Sequence, residues 1–403
     1  MIIGIDASRA NLKHKTGTQW YSFYLIKNLA QIDKTNQYWL YVNEPPSLEL
    51  VAAVKENPNF IFKFLEWPFL SFWTLGRLTL EMLIKRPDVL FIPAHGLPLF
   101  GPRRTINTIH DVAFVREQNL YFSSKASAQW NVSKKIINGL VRVLTFGKYG
   151  ATSVDYLYWS TAFSLRHAKK IIAVSEFTKS EIISLYNSVP QNKVDVIYNG
   201  YSNDLYKPLT DQNQQQVVLN KYGLDYPFFL YVGRLEKKKN TVTLIEAFAL
   251  FMEENPDSPM HLVLIGDAGY GYDEVKYVIE EFDLSDRVIM PGWLDEVDLP
   301  AIFNAASAFV FPSKHEGFGI PVLQALACGI PAIISDLPVL REVVGEAALY
   351  FNQNNRRSVA MAMDRIIKDE ELRRELKERG LKQVQSFSWE KCATETLQLI
   401  KSL

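Results

Sequence analysis

Thirteen residues, Pro312-Ser313-Lys314-His315-Glu316-Gly317-Phe318-Gly319-Ile320-Pro321-Val322-Leu323-Gln324, gather more potential chemistry than any other stretch of this chain. They follow an apolar run, Ala308 to Phe311, that reads as a buried strand, and they open a short apolar helix stopped by Gly329 and Pro331. Two glycines flanking Phe318 let backbone N–H groups approach a ligand closely, and the helix N-terminus behind them favours negative charge. Glu316 is the one acid placed before that turn, where it would grip hydroxyls beside a phosphate. The combination suits a phosphorylated sugar. A second group is Tyr231-Val232-Gly233-Arg234-Leu235-Glu236-Lys237-Lys238-Lys239-Asn240. Here a strand ends, Gly233 permits close approach, and Arg234 stands at the strand's carboxyl edge, where α/β folds place ligands. Arg234 and Lys239 would bracket a diphosphate, one as a planar fork and the other as a point charge. Taken alone, Lys237–Lys239 reads as a solvated loop; the Glu316 turn in the same sheet makes it a site.

Other candidates are weaker. His110, in Thr108-Ile109-His110-Asp111, ends a strand at the carboxyl edge of its sheet, within reach of a sugar or an acceptor; the plain alternative is a core histidine. Asp111 reads as orienting the loop or His110 rather than as a base. Arg9, His14 and Lys15 line the loop before the first helix, where they would meet an anionic acceptor or form an ordinary exposed basic loop. Gly266-Asp267-Ala268-Gly269-Tyr270-Gly271 follows a strand but is not G-x-G-x-x-G, and reads as a loop beside the ligand. His95 and His315 have no carboxylate or cysteine at ligand spacing, and no Ser/His/Asp triad or nucleophile elbow is present.

These residues need elements to hold them. A chain of 403 residues, 48% apolar and 22% charged, suits two globular domains rather than one core. Short apolar strands alternate with amphipathic helices throughout. In the first half the strands are Ile2–Ile5, Tyr38–Val42, Phe60–Phe64, Val89–Pro93, Thr105–Ile109, Lys170–Val174 and Val194–Ile197. Thr18 is expected to cap a helix reaching Ile32, and Ser175 one running towards Tyr186. In the second half they are Phe228–Val232, His261–Ile265, Val288–Met290, Ala308–Phe311 and Ala332–Ile334, with Asn240 expected to cap a helix to Phe251. The rhythm predicts parallel sheets covered on both faces. Domains are expected at 1–200 and 201–388, with a linker from Asn199-Gly200 to about Asp225 and a last helix, 389–403, packing back on the first domain.

The stretch 120–163 breaks the pattern. Trp130, Ile136, Ile137, Leu140, Val141 and Leu144 recur at helical spacing among Lys134, Lys135, Arg142 and Lys148, and Tyr156, Tyr158 and Trp159 follow. This is either a helical insertion packing on its own domain or a surface for a membrane or a lipid-linked acceptor. Net charge is zero, but residues 1–200 hold 23 Lys and Arg against 14 Asp and Glu, and the remainder 21 against 30. One half meets an anionic partner, or the two halves attract each other across a cleft; both readings stand. Cys328 and Cys392 lie in helical patterns without ligand spacing, so a reducing compartment is expected. Met1-Ile2-Ile3-Gly4-Ile5-Asp6 reads as a first strand rather than a signal peptide, and no apolar run has membrane length.

Gly233-Arg234 with Lys239-Asn240, then Pro312-Ser313 and Glu316-Gly317-Phe318-Gly319, resembles glycosyltransferase family 4. Ser175-Glu176-Phe177-Thr178, Asn199-Gly200, Gly292 and Glu342-Val343 also fall where that family has recurring elements, so the resemblance covers nearly the whole chain outside 120–163. It implies the GT-B fold, two Rossmann-like doubly wound domains facing across a cleft, the first binding the acceptor and the second the nucleotide sugar. It implies a retaining transfer of a hexose from a GDP- or UDP-sugar to a glycan or lipid-linked acceptor in surface polysaccharide synthesis. No cofactor, metal or nucleic acid is expected, and the place is the cytoplasm or the inner face of a membrane. By the resemblance, Arg234, Lys239, Glu316 and His110 carry catalysis. Gly17, Gly233, Trp293, Leu294, Gly317, Phe318, Gly319, Ile320 and Gln324 bind the donor, and Arg9, His14 and Asp111 face the acceptor. Gly17 matches a family loop that is normally richer in glycine. At 324 the family usually has a second glutamate, on the ribose; Gln324 keeps one acceptor and adds a donor, but cannot take two hydroxyls as a carboxylate does. That departure admits a non-catalytic sugar-nucleotide-binding subunit as an alternative. A GT-B epimerase would need acid/base carboxylates that do not appear.

Overall fold

Runs such as Val89–Ile92 and Phe228–Val232 are apolar at every position, and strands of that kind are stable only between two layers of helix. The computed structural model describes residues 1–68, 73–94, 96–121 and 152–403. The chain divides into two units, Met1–Gly200 with Trp389–Leu403, and Tyr201–Ser388. Among the described residues the first unit has strands β1 (Ile2–Asp6), β2 (Gln37–Val42), β3 (Phe60–Phe64), β4 (Val89–Ile92), β5 (Thr105–Ile109), β6 (Lys170–Ala173) and β7 (Val194–Val196), in the spatial order 3-2-1-4-5-6-7. The second has β8 (Phe228–Val232), β9 (His261–Ile265), β10 (Val288–Gly292), β11 (Ala308–Phe311), β12 (Ala332–Ser335) and β13 (Leu349–Phe351), ordered 10-9-8-11-12-13. All pairings are parallel, so both units are the doubly wound α/β sheets that the alternation predicts. In each, the strand order reverses at one point: between β1 and β4, and between β8 and β11.

Several local expectations need correction. The first helix is Gly17–Ile32, and its cap is Thr16, not Thr18. Gln19 reaches back so that its Oε1 accepts the Thr16 N–H at 3.2 Å, which moves the capping box two residues earlier. Ser175 does cap its helix, accepting the Thr178 N–H at 3.0 Å. The polar run read as linker is a helix, Gln212–Tyr222, capped by Asp211. It is held by hydrogen bonds rather than an apolar face: Lys221 and Tyr222 both reach Asp298, at 2.7 and 2.6 Å. The short strand β13 escaped notice in sequence. Residues 122–151, with Trp130 and the apolar and basic positions up to Lys148, lie outside the described residues, as does His95. Tyr156, Tyr158 and Trp159 are on the helix Ser153–His167, which packs on its own unit. There the Tyr158 hydroxyl donates to the carbonyls of Phe114 and Val115 at 3.0 and 2.9 Å. Among the described residues no helix is long and apolar enough to cross a membrane.

The helix Trp389–Lys401 belongs to the first unit and lies along Gly17–Ile32. Trp389 is buried, stacks on Tyr24 with ring centroids 5.6 Å apart, and meets Tyr21 edge-on at 6.0 Å. Replacing a buried tryptophan with alanine removes both its transfer free energy and the packing around it, a loss of about 3–5 kcal/mol. Trp389→Ala is therefore expected to lower the unfolding free energy of the first unit by about that amount in urea titration. Lys401→Ala, at the exposed end of the same helix, should leave it unchanged.

Candidate active site

The switch between β8 and β11 brings two loops together at the carboxyl ends of neighbouring strands, the position where open α/β sheets bind ligands. The loop after β8 is shaped by its neighbour after β9. The Leu235 N–H donates to the Asp267 carbonyl at 2.9 Å, and the Lys237 N–H to Tyr270 at 2.8 Å. Gly266 adopts a φ of +142°, and a Cβ there would overlap the Gly233 carbonyl oxygen, so only glycine lets the two loops lie this close. The turn after Gly233 is tied by the Tyr231 hydroxyl, which donates to the Arg234 carbonyl at 2.9 Å. The Arg234 side chain is half exposed beside Glu236, at 3.4 Å.

Lys239 and Glu316 meet across the switch. The Lys239 Nζ donates to Glu316 Oε1 at 2.6 Å, with Glu316 buried and Lys239 nearly so. Burial pushes the Glu316 carboxyl up, but the Lys239 and Lys238 ammonium groups outweigh it and hold the carboxyl below its ordinary value of 4.5. Backbone bonds lock the same junction, since the Lys314 N–H donates to the Lys238 carbonyl at 3.0 Å. Asn240 stands at the N-cap of the helix Thr241–Glu254, as expected, but its side chain makes no capping bond. It takes a left-handed φ of 59°, and its Nδ2 donates to the carbonyls of Pro312, at 3.1 Å, and Gln353, at 2.8 Å. Its part is to clamp the loop that carries Glu316. An asparagine directly after a basic run was the available signal, since asparagine tolerates this conformation better than most residues.

The turn Gly317-Phe318-Gly319-Ile320 closes the helix Ile320–Ala327 at its N-terminus, with Gly319 as cap at a φ of +97°. The Phe318 ring turns inward onto Phe387, at 5.7 Å, leaving the backbone of the turn as its ligand-facing part. Gln324, on the same helix, is buried, and its side-chain amide hydrogen-bonds to no described residue. Trp293 and Leu294 follow β10, the sheet's edge strand, two places from β8 at the same carboxyl edge; Trp293 is half-buried and Leu294 buried. Among the described residues no three His, Cys, Asp or Glu side chains form a group that would hold a metal ion.

In the first unit His110 follows β5, its Nε2 lying 2.9 Å from the Pro93 carbonyl and its ring edge-on to Tyr21 at 4.8 Å. Asp111 orients its own loop, accepting the Ala113 N–H at 3.3 Å and the Tyr121 hydroxyl at 3.1 Å. Gly17 opens the first helix with free space where a side chain would be. Arg9 and His14 are exposed. Lys15 is not an exposed member of that loop. It is buried, ion-paired with Glu49, and lies 5.1 Å from the ring centroids of Trp20 and Phe23.

This fold and this junction define a glycosyltransferase of the GT-B fold, and the comparisons agree. Residues 212–383 match the family described as Glycosyl transferases group 1, and residues 16–205 match Glycosyltransferase Family 4. The O-antigen chain mannosyltransferase B of Escherichia coli is 35% identical over 398 residues, covering 96% of each chain. The chain belongs to glycosyltransferase family 4. Among solved structures, sucrose-phosphate synthase from Thermosynechococcus elongatus superposes with a TM-score of 0.74 at 21% identity, over 100% of this chain and 98% of that one. Anabaena Alr3699/HepE in complex with UDP-glucose superposes with a TM-score of 0.70 at 15% identity, over 100% and 99%.

Because the folded-state value of Glu316 is depressed, its contribution to stability is fully present above about pH 4.5 and is lost as pH falls through the lower folded value. Lys239→Met leaves a buried carboxylate without its nearest cation, which is expected to destabilise the second unit by about 3 kcal/mol at pH 7. The Glu316 carboxyl should then titrate above 4.5. Urea titrations at pH 7 and pH 5 should accordingly show the variant regaining stability on acidification while the wild type does not.

Proposed function

We propose that this chain is a retaining mannosyltransferase that moves mannose from a nucleoside-diphosphate sugar to a glycan or lipid-linked acceptor in surface polysaccharide synthesis. The observation that carries the reading is the buried Lys239–Glu316 contact at the switch point, which sets a cation for phosphate beside a carboxylate for sugar hydroxyls. Arg234 and Lys239 bind the diphosphate and stabilise the negative charge that grows as the nucleotide leaves, work that a metal ion does in other transferases. Glu316, held ionised by Lys239, accepts hydrogen bonds from hydroxyls of the donor sugar. The Phe318 and Gly319 amides, at a helix N-terminus, serve the sugar and phosphate. Gln324 meets the ribose, and Trp293 and Leu294 flank the base. The second unit thus takes the donor.

His110, in the first unit, serves the transferred sugar, and Arg9 and His14 serve the acceptor. Asp111 is engaged with its own loop and acts through it. The acceptor hydroxyl attacks the anomeric carbon on the face the leaving group departs from. The C–O bond to the diphosphate breaks, and a phosphate oxygen takes the acceptor's proton, so the configuration is retained. Mannose is favoured by the similarity to the E. coli O-antigen mannosyltransferase.

The test is transfer and hydrolysis with GDP-mannose and UDP-glucose in turn. Turnover of GDP-mannose that persists in EDTA, with an α-linked product by NMR, is expected. Arg234→Ala should lower kcat/KM by roughly 10²–10³-fold. Absence of turnover with every nucleotide sugar, or a β-linked product, would overturn the reading. Gln324→Glu should tighten GDP-mannose binding in calorimetry, and an unchanged Kd would place the ribose away from this helix.

A further inference from the structure

The amino-terminal rim of the first unit's sheet, opposite the edge that carries His110, bears an apolar face set in positive charge. Leu80, Leu83 and Ile84 are spaced so that they share one side of the short helix Thr79–Ile84, and all three are exposed, Ile84 by 81%. The other side of the helix, Thr79 and Met82, is buried. Leu99 and Phe100 stand beside it. The Leu99 N–H donates to Thr79 Oγ1 at 2.9 Å, and Phe100 is 58% exposed. Five large apolar side chains gathered this way form a patch rather than the scattered exposure normal for a soluble surface.

The surrounding charge says what kind of partner fits. Lys85 and Arg86 precede β4, Arg103 and Arg104 precede β5, and Lys169 precedes β6, three neighbouring strands. Backbone bonds hold these segments together, from the Leu90 N–H to the Arg104 carbonyl at 3.0 Å and from the Lys169 N–H to Thr105 at 2.8 Å. All five cations are exposed, and among the described residues none is paired with a carboxylate. Of the nearby acids, Asp195 pairs with Lys170 at 3.0 Å and Glu81 with Arg77 at 3.1 Å, while Asp88, whose carboxylate accepts the Ile2 N–H at 2.7 Å, stays charged and offsets one of the five cations. The positive field is felt locally. Burial, and then the Lys169 ammonium, lower the affinity of Lys193 for its proton.

We propose that this rim docks the protein on an anionic phospholipid surface, with Leu80, Leu83, Ile84, Leu99 and Phe100 entering the headgroup–acyl boundary and the five cations meeting lipid phosphates. Apolar side chains and unneutralised cations on one rim supply the two signals that stable peripheral attachment needs. A protein partner with an apolar face would not require five exposed cations without carboxylate partners around it; of these, Lys85 also lies 5.0 Å from the Trp39 ring centroid. With β4 and β5 four and five residues long, the docked rim and the His110 edge stand roughly 15 Å apart at ~3.3 Å per residue. The transfer edge is then held clear of the bilayer, which suits a glycan already several sugars long. The inference goes beyond the transfer reaction, and its test needs neither donor nor acceptor.

The full chain is sedimented with phosphatidylcholine vesicles, with and without phosphatidylglycerol, at low and physiological salt. Binding only where phosphatidylglycerol is present, weakened by salt, is expected. Arg103→Ala with Arg104→Ala should reduce the partition coefficient roughly 25-fold, about fivefold per cation. Ile84→Ser with Phe100→Ser should abolish binding while circular dichroism and transfer to a water-soluble acceptor stay as in the wild type. Equal binding to neutral vesicles, or variants that bind like the wild type, would overturn the proposal. So would a self-association that Ile84→Ser dissolves, which would assign the face to a second copy of the chain.

Discussion

A lysine and a glutamate held 2.6 Å apart in a largely buried junction constrain everything built around them. Each charge has left water at a cost that its partner offsets, with Lys238 adding to the field on Glu316, and neither tolerates a slack loop. So the backbone of the two loops is fixed independently of the pair. Asn240 clamps Pro312 and Gln353, Lys314 bonds Lys238, and the glycine at 266 lets the β9 loop brace Gly233. The strand order supplies the rest, because only at the reversal between β8 and β11 do two carboxyl-end loops diverge enough to admit a ligand. On the proposed function, the donor diphosphate enters a field already paid for by folding, and little reorganisation is left for the reaction.

Much of this is legible in sequence for a specific reason. Strands buried on both faces are continuous apolar runs, so β1, β8, β9 and β11 show themselves within a residue or so of their ends. The two site loops are contiguous motifs whose chemistry lies in neighbouring residues. Ser175 announces its helix because a cap acts within three residues. Where the cause is distant, the sequence is silent. The helix Gln212–Tyr222 has one buried side chain, Leu219, and is secured by Asp298 and by the Ala301 carbonyl, which Gln215 reaches at 3.2 Å. The one local signal is the pair of ends, Asp211 as cap and Gly223 at a left-handed φ of +65°, because the run between them shows no apolar face. Lys15 likewise looked like one more exposed cation because Glu49 and the rings that surround it come from other elements.

Gln324 is where the structure adds most to the sequence. A departure from the family's usual glutamate looks at first like a loss of function. In the fold, position 324 is buried and its side chain has no partner among the described residues. An amide bears such burial at lower cost than a carboxylate does. The glutamine is thus compatible with a stable, preformed site, at the price of one acceptor towards a diol. Lys239, Glu316 and the Gly317–Ile320 turn keep their arrangement around it.

The central claim is that Lys239 and Glu316 act as one unit in donor transfer. A double-mutant cycle tests it most directly, with kcat/KM for GDP-mannose measured for the wild type, Lys239→Met, Glu316→Gln and the double variant. The account predicts strong non-additivity, the double variant being little worse than the poorer single one, because removing either partner already disables the pair. Losses that simply multiply would mean that the two residues act independently, and would contradict it.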